Sequence, residues 1–231
     1  MKSALVYIAD RSPALDFAAG YLASEGICIT TIPCEAVTHV LLPVPTKSWT
    51  PPEELPANVT VFGGNLPQSS LNTVDLLKDE AYLLQNAAIT AHCAIKIAMN
   101  HLPSTLYGLN ALVIGWGRIG KSLAALLHAL GARVTVATRD PAAIPVPYKA
   151  VDTASLDPSP YRLIFNTAPV PVLDGRLAAP NALLIDLASK LGISGDRVIW
   201  ARGLPGKEAP ESSGALIAQT VIRYLSEKEN V

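Results

Sequence analysis

Ala111-Leu112-Val113-Ile114-Gly115-Trp116-Gly117-Arg118-Ile119-Gly120 is an apolar run that ends in three glycines spaced G-x-G-x-x-G. Four consecutive apolar residues, two of them β-branched, fit a buried strand, with Asn110 as its first residue. The next residues read as a helix through Leu130, and Gly131 falls where a left-handed helix cap is wanted. Arg133 to Ala137 then resumes as a strand. In this strand–turn–helix–strand setting each glycine has its own task. Gly115 permits the tight turn out of the strand. Gly117 lets the backbone approach a diphosphate with no Cβ in the way. Gly120 lets the helix lie close against the strand. The start of the helix offers amide N–H groups and a partial positive charge to an anion. Trp116, Arg118 and Ile119 complete the same expected binding turn. The segment predicts a Rossmann unit that binds a nicotinamide dinucleotide.

Reading outward from it, strand-like runs alternate with helical ones along the whole chain. Toward the C-terminus, Leu163–Asn166, Leu183–Asp186 and Val198–Trp200 are expected strands. Residues 140–160 are proline-rich and read as a short or irregular crossover, and Ser212–Glu227 reads as a terminal helix. Toward the N-terminus, Ala4–Ala9, Ile27–Ile32, His39–Val44 and Val59–Phe62 are expected strands. A helix is expected from Ser12, its N-cap, with Pro13 in the first helical position, to Gly26. Residues 45–57 read as a loop, Gly63-Gly64 as a turn, and Thr73–His101 as helical until Leu102-Pro103 breaks it. The fold class implied is α/β, two Rossmann-like lobes with parallel sheets. The expected domains are 1–102, a flavodoxin- or Rossmann-like substrate domain; 103–210, the dinucleotide-binding domain; and 211–231, a helix packing back on the first. A substrate is then expected between the lobes.

Half of the 231 residues are hydrophobic and the net charge is −1. That balance gives no electrostatic footprint for nucleic acid or an anionic membrane, and no apolar run is long enough to span a bilayer. Asp10 and Arg11 interrupt the apolar start Met1–Ile8 too early for an export signal, so a cytoplasmic location is the default. Three cysteines, Cys28, Cys34 and Cys93, argue against a disulfide framework. With His39 their spacing does not suit a structural zinc site; no metal is expected, and buried thiols in a strand-rich core are the preferred reading.

The residue after the second Rossmann strand chooses the cofactor. An NAD site usually carries an acid there, to hold the ribose hydroxyl. Here Thr138 and Arg139 occupy that end, suited to a 2′-phosphate, so NADP is expected over NAD. Asp140 keeps NAD as the alternative. Asn166, Thr167 and Ala168, at the end of a later strand, are counted with the cofactor contacts.

The layout resembles the D-2-hydroxyacid dehydrogenases, but the last histidine is His128, inside the first Rossmann helix, and Ser189-Lys190 stands where a substrate-binding arginine is expected. The late acid/base of that mechanism is missing. Four segments carry a nearer resemblance: Asn86-x3-Thr90, the glycine turn 115–120, Ile185-Asp186-Leu187-Ala188-Ser189-Lys190, and Gly203-Leu204-Pro205-Gly206-Lys207-x-Ala209-Pro210 with Gly214. Together they resemble the dipicolinate synthase A-subunit family over about residues 80–225; the first domain resembles it in architecture only and looks shortened. Three positions depart from that pattern: His92 in place of an acid, Lys190-Leu191-Gly192 in place of arginine-proline-glycine, and Arg202 in place of proline. The resemblance implies NADP-linked oxidation of a dihydrodipicolinate-type ring to pyridine-2,6-dicarboxylate for spores, a flavoprotein-like second subunit, and a homo-oligomer. Aromatisation is strongly downhill, so positioning can serve where a tuned proton shuttle is absent. A dicarboxylate needs donors. Lys190 and Lys207 are the candidate cations, and Asn86, Thr90 and Ser189 the candidate neutral donors, a role open to Asn166 and Thr167 as well. Asn86 and Thr90 share a helix face if the helix begins earlier, whereas Asn86 could instead be its N-cap. Another NADP-linked reductase, or a non-catalytic dinucleotide sensor or scaffold, are the competing readings.

Overall fold

The computed structural model describes residues 4–67 and 71–229; Met1–Ser3, part of the apolar start, lie outside the described residues. In chain order the elements are β1 (Leu5–Ile8), α1 (Pro13–Ser24), β2 (Cys28–Thr30), β3 (His39–Leu41), β4 (Thr60–Gly63), β5 (Asn72–Asp75), α2 (Glu80–His101), β6 (Asn110–Ile114), α3 (Arg118–Ala129) and β7 (Arg133–Thr138). Then come β8 (Lys149–Asp152), β9 (Leu163–Asn166), β10 (Leu173–Asp174), β11 (Leu183–Asp186), β12 (Ile193–Ser194), β13 (Val198–Trp200), α4 (Leu204–Glu208) and α5 (Pro210–Glu229). The chain divides into two compact units, Met1–Asn86 with Pro205–Val231, and Ala87–Leu204.

The first unit holds a five-stranded parallel sheet in the order β2-β1-β3-β4-β5, the flavodoxin-like order. Helix α1 starts where Ser12 accepts the Leu15 amide and Pro13 fills the first position. It buries Ala14, Leu15, Ala18 and Leu22, spaced for one helix face. Helix α5 packs on α1, and Gly214 makes the closest approach: a Cβ there would run into the Ala14 carbonyl and the Phe17 Cβ. Asp79 ties the C-terminal helix to the start of α2. Its carboxylate accepts from the Tyr82 amide at 2.8 Å, from Arg223 at 2.5 Å and from the Tyr224 hydroxyl at 3.1 Å. Burial pushes the Asp79 carboxyl up, but these donors outweigh burial and hold it below the usual carboxylate range.

The second unit is a six-stranded parallel sheet, β13-β11-β9-β6-β7-β8, the full order of a doubly wound dinucleotide-binding sheet. Ala111, Leu112, Val113 and Ile114 are wholly buried at its centre, as the continuous apolar run required. Helix α3 lays Gly120, Leu123, Ala124 and Leu127 on the sheet, and Gly131 closes it at φ +80°. Most other crossovers hold only single 3-10 turns, at Pro141–Ala143, Thr153–Ser155 and Gly175–Leu177.

The two parallel sheets agree with the alternation read from the sequence. Four local readings need correction. Residues 72–75, at the front of the expected 73–101 helix, are edge strand β5, paired with β4. Thr73 and Val74 are β-branched, and Asp75 stops the strand by accepting the Leu77 amide, so α2 begins only at Glu80. Asn86 therefore sits inside α2, not at its cap. The proline-rich crossover contains strand β8. Finally, only Cys93 is a buried thiol, and it lies on a helix; Cys28 is exposed and Cys34 half-buried.

Candidate functional site

The sheet of the second unit reverses its winding between β6 and β9, where Ile114 pairs with Asn166. Crevices at such a point are where open α/β sheets bind ligands. The glycine turn lies there. Gly115 is left-handed at φ +99°, its amide donating to the Ala137 carbonyl at 2.9 Å. Thr167 closes over it: its hydroxyl and its amide both donate to the Ile114 carbonyl at 2.9 Å. A side chain on Gly115 would strike that hydroxyl, and one on Gly120 would strike the Gly115 carbonyl oxygen. Gly117 differs from both. A Cβ there would meet nothing within 4 Å. It is the N-cap residue of α3, in extended backbone, and no side chain caps the helix. The first-turn amides of a helix have no intrahelical acceptor, so this end keeps its partial positive charge for an outside anion. No acid stands in the first turn of α3.

The three intervening residues behave differently. Trp116 is half-buried and turns sideways: its ring meets Tyr148 edge-on at 5.8 Å and lies 6.0 Å from the Lys121 ammonium. Tyr148 in turn meets His128 at 5.9 Å, so this aromatic row fastens the 141–148 crossover along α3. Arg118 is exposed and Ile119 half-buried.

At the end of β7, Thr138 is half-buried and its hydroxyl accepts the Asp140 amide at 3.4 Å. Arg139 and Asp140 are exposed. Asp152 stands beside Thr138 across the β7–β8 ladder, with its carboxylate taking the Ala154 amide at 2.8 Å.

The far side of the switch point is organised by a residue to which the sequence assigned no role. Asp186, last in β11, is wholly buried. It accepts the Ala188 amide at 3.0 Å, the Gly192 amide at 2.8 Å, the Ile193 amide at 2.9 Å and the Asn166 side-chain amide at 2.9 Å. Four N–H donors compensate the buried charge, the condition under which burial of a carboxylate is tolerable. Asn166 is also wholly buried. Its amide group donates to the Ala168 carbonyl and its oxygen accepts the Ala168 N–H, so its hydrogen bonds are spent on the loop. Gly192 closes on the same cluster; a Cβ there would strike the Asn166 amide. The result is a fixed 187–193 loop that displays Ser189 and Lys190, both exposed. From the neighbouring strand, the Trp200 indole N–H donates to the Ala188 carbonyl at 3.1 Å. The signal for Asp186 was present as an acid closing an otherwise apolar strand, Leu183-Leu184-Ile185.

Thr90 and Asn86 lie one turn apart on α2, Thr90 buried and Asn86 half-buried. Lys207 is exposed on the short helix α4. Asn86 and Lys207 fall in the first unit, and Thr90, Ser189 and Lys190 in the second. Elsewhere, His39 bonds Thr38 and His101 bonds the Ile97 carbonyl. Among the described residues no group of three or more His, Cys, Asp or Glu could hold a metal ion, and no helix is long and apolar enough to cross a membrane.

No family model matches the chain. It is 27% identical over 201 residues to the dipicolinate synthase A subunit of Bacillus subtilis (strain 168), spanning 76% of this chain and 67% of that protein. Its fold is that of the crystal structure of the dipicolinate synthase A chain from Bacillus subtilis, with a TM-score of 0.80 at 21% identity over 100% of this chain and 98% of that one. It is shared also with a transhydrogenase from Sinorhizobium meliloti, with a TM-score of 0.73 at 13% identity over 98% and 94%. The resemblance to the dipicolinate synthase A-subunit family, read from four short segments, thus extends over 201 residues in sequence, and the fold is shared over the whole chain.

Proposed function

We propose that this chain is the nicotinamide-dinucleotide-binding subunit of an oxidoreductase of the dipicolinate synthase type, working with NADP. The observation that carries the reading is the open, uncapped glycine turn at the switch point of the six-stranded sheet. Gly117 leaves room for a diphosphate, and the first-turn amides of α3 point their partial charge at it. These residues fit the cofactor. Gly115, Trp116, Gly117, Arg118, Ile119 and Gly120 would form the diphosphate turn, Thr138 and Arg139 would take the 2′-phosphate, and Thr167 and Ala168 would line the nicotinamide end, supported by Asn166. When bound, the dinucleotide supplies the hydride acceptor for aromatisation of a dihydrodipicolinate-type ring. The chain's own part is to orient that ring: Ser189 and Lys190, on the loop fixed by Asp186, are proposed to hold a substrate carboxylate, with Asn86, Thr90 and Lys207 as further substrate contacts. A flavoprotein-like second subunit is proposed as the partner.

Calorimetric titration with NADP and NAD tests the cofactor half. Arg139→Ala is expected to weaken NADP at least about tenfold, a loss of ~1.4 kcal/mol, and NAD hardly at all; equal losses overturn the preference for NADP. Freshly made dihydrodipicolinate, offered with NADP in the presence of the partner, is expected to yield pyridine absorbance and NADPH together. Nucleotide binding without turnover favours a dinucleotide sensor, and no binding of either nucleotide by the folded protein removes the reading.

A further inference from the structure

Two arginines of the second unit are spent on protein acceptors. Arg197 donates to the carbonyls of Ala179, Pro180 and Gly175, and Arg176 is locked on Asp174 at 2.6 Å. Arg202 is held in another way: its guanidinium carbon lies 5.2 Å from the centre of the Trp200 ring. That ring is itself fixed, because its N–H is bonded to the Ala188 carbonyl. Strands β11 and β13 run parallel with Asp186 opposite Trp200, and the Ala201 amide extends the ladder to the Asp186 carbonyl at 2.8 Å. The chain past β13 therefore leaves alongside the chain past β11. Arg202 emerges beside the turn that carries Ser189 and Lys190. Both cations are exposed, and among the described residues no carboxylate is paired with either. The local acid, Asp186, is buried and turned inward onto four N–H groups.

We propose that Arg202, held on the Trp200 ring beside Lys190, binds the second carboxylate of the substrate and makes the site select dianions over monoanions; this rests on the functional reading above. A guanidinium stacked on an aromatic face keeps its planar fork of N–H donors at the ring edge, matched to the two oxygens of a carboxylate. Stacking also removes much of the rotamer freedom that a free arginine would lose on binding. Lys190, a compact point charge on the loop that follows the neighbouring strand, takes the other carboxylate. A ligand with one carboxylate can engage one cation only, whereas a rigid diacid engages both.

The test is calorimetry on the full chain with NADP present, using pyridine-2,6-dicarboxylate, pyridine-2-carboxylate and pentanedioate as probes. Arg202→Ala is expected to weaken the pyridine diacid about tenfold or more and the monoacid less than about twofold, with NADP affinity unchanged. Arg202→Lys keeps the charge but not the fork, and is expected to fall between. Trp200→Leu, which removes the platform, is expected to lower the diacid-to-monoacid ratio with Arg202 still in place. Both side chains are exposed, and circular dichroism reports any loss of fold. Unchanged diacid binding in Arg202→Ala overturns the inference and leaves the functional reading standing. Arg202-dependent binding of pentanedioate without binding of the pyridine diacid supports dianion selection and overturns the proposed substrate. A wild-type chain that binds no dicarboxylate overturns both.

Discussion

Each sheet sends its first strand into a helix, and the two helices begin in opposite ways. At the end of β1 the turn is closed by its own side chains. Asp10 accepts the Arg11 amide at 2.7 Å, Ser12 accepts the Leu15 amide at 3.3 Å, and Pro13 has no N–H to offer. Asp16 stands in the first turn of α1, and the charged residues lining the hollow beside it are Asp10, Arg11 and Asp16, two acids to one cation. At the end of β6 none of this is present: the N-cap is Gly117, no side chain caps α3, and its first turn holds no acid. A helix start that is satisfied and acid-lined repels anions, whereas one left open attracts them. One supersecondary unit serves as scaffold in the first case and is the proposed binding site in the second, and a handful of side chains makes the difference.

The third residue past each cap sharpens the point. In α1 it is Leu15, wholly buried, filling the space between helix and sheet. In α3 it is Gly120, where any Cβ would overlap the Gly115 carbonyl oxygen. The α3 start comes close enough to the strand end to serve the switch point, and only a missing side chain allows it. Gly120→Ala should therefore be the most damaging small change in the molecule. Forcing backbone apart in a packed region typically costs about 1–3 kcal/mol and occasionally more. Urea denaturation should show that loss, and nucleotide binding should vanish with it. A variant as stable as the parent would mean that the close approach is not structurally required.

Gly117→Ala separates binding from folding. The added methyl group meets nothing, so stability should fall by no more than about 1 kcal/mol, the cost of alanine at an N-cap. Dinucleotide affinity should drop about thirtyfold, or ~2 kcal/mol, because the methyl occupies the space proposed for the diphosphate. Full affinity in this variant would place the nucleotide elsewhere on the chain.

The same two regions explain what could be read from sequence. The β6–α3 unit was legible because its signals are local: an apolar run, three glycines at fixed spacing, an amphipathic helix and Gly131 all fall within 22 residues (110–131). Ser12-Pro13 marked the start of α1 for the same reason. What failed was whatever depended on distant pairing. Asn72–Asp75 follows the helical rhythm of the residues after it, and becomes a strand only because β4 lies beside it. Strand β8 is hidden among prolines and forms against β7. Of the far side of the site, Ser189 and Lys190 were picked out, but not the cluster that fixes their loop. That cluster joins Asn166 to Asp186, 20 residues apart on two strands, and Asp186 to the amides of Ala188, Gly192 and Ile193. Nor could sequence tell that Asn166 spends its amide on the loop, or that Arg202 rests on Trp200.

The smallest expected effect is also the control for the comparison. Ser12→Ala removes the side-chain oxygen that accepts the Leu15 amide, and a lost N-cap costs about 1 kcal/mol. That cost should be confined to the first unit: hydrogen exchange of amides in the first turn of α1 should quicken, and the amides of α3 should not. The cap at Ser12 satisfies a donor that nothing else needs, so nucleotide affinity should stay within about twofold of the parent. Opening α1 in this way is not expected to convert it into a second anion site, because the two acids Asp10 and Asp16 outnumber Arg11 at its mouth. A phosphate-bearing ligand that gained affinity on Ser12→Ala alone would show that the cap, and not the acids, keeps α1 closed to anions, and the contrast between the two helix starts would have to be rewritten around that single hydroxyl.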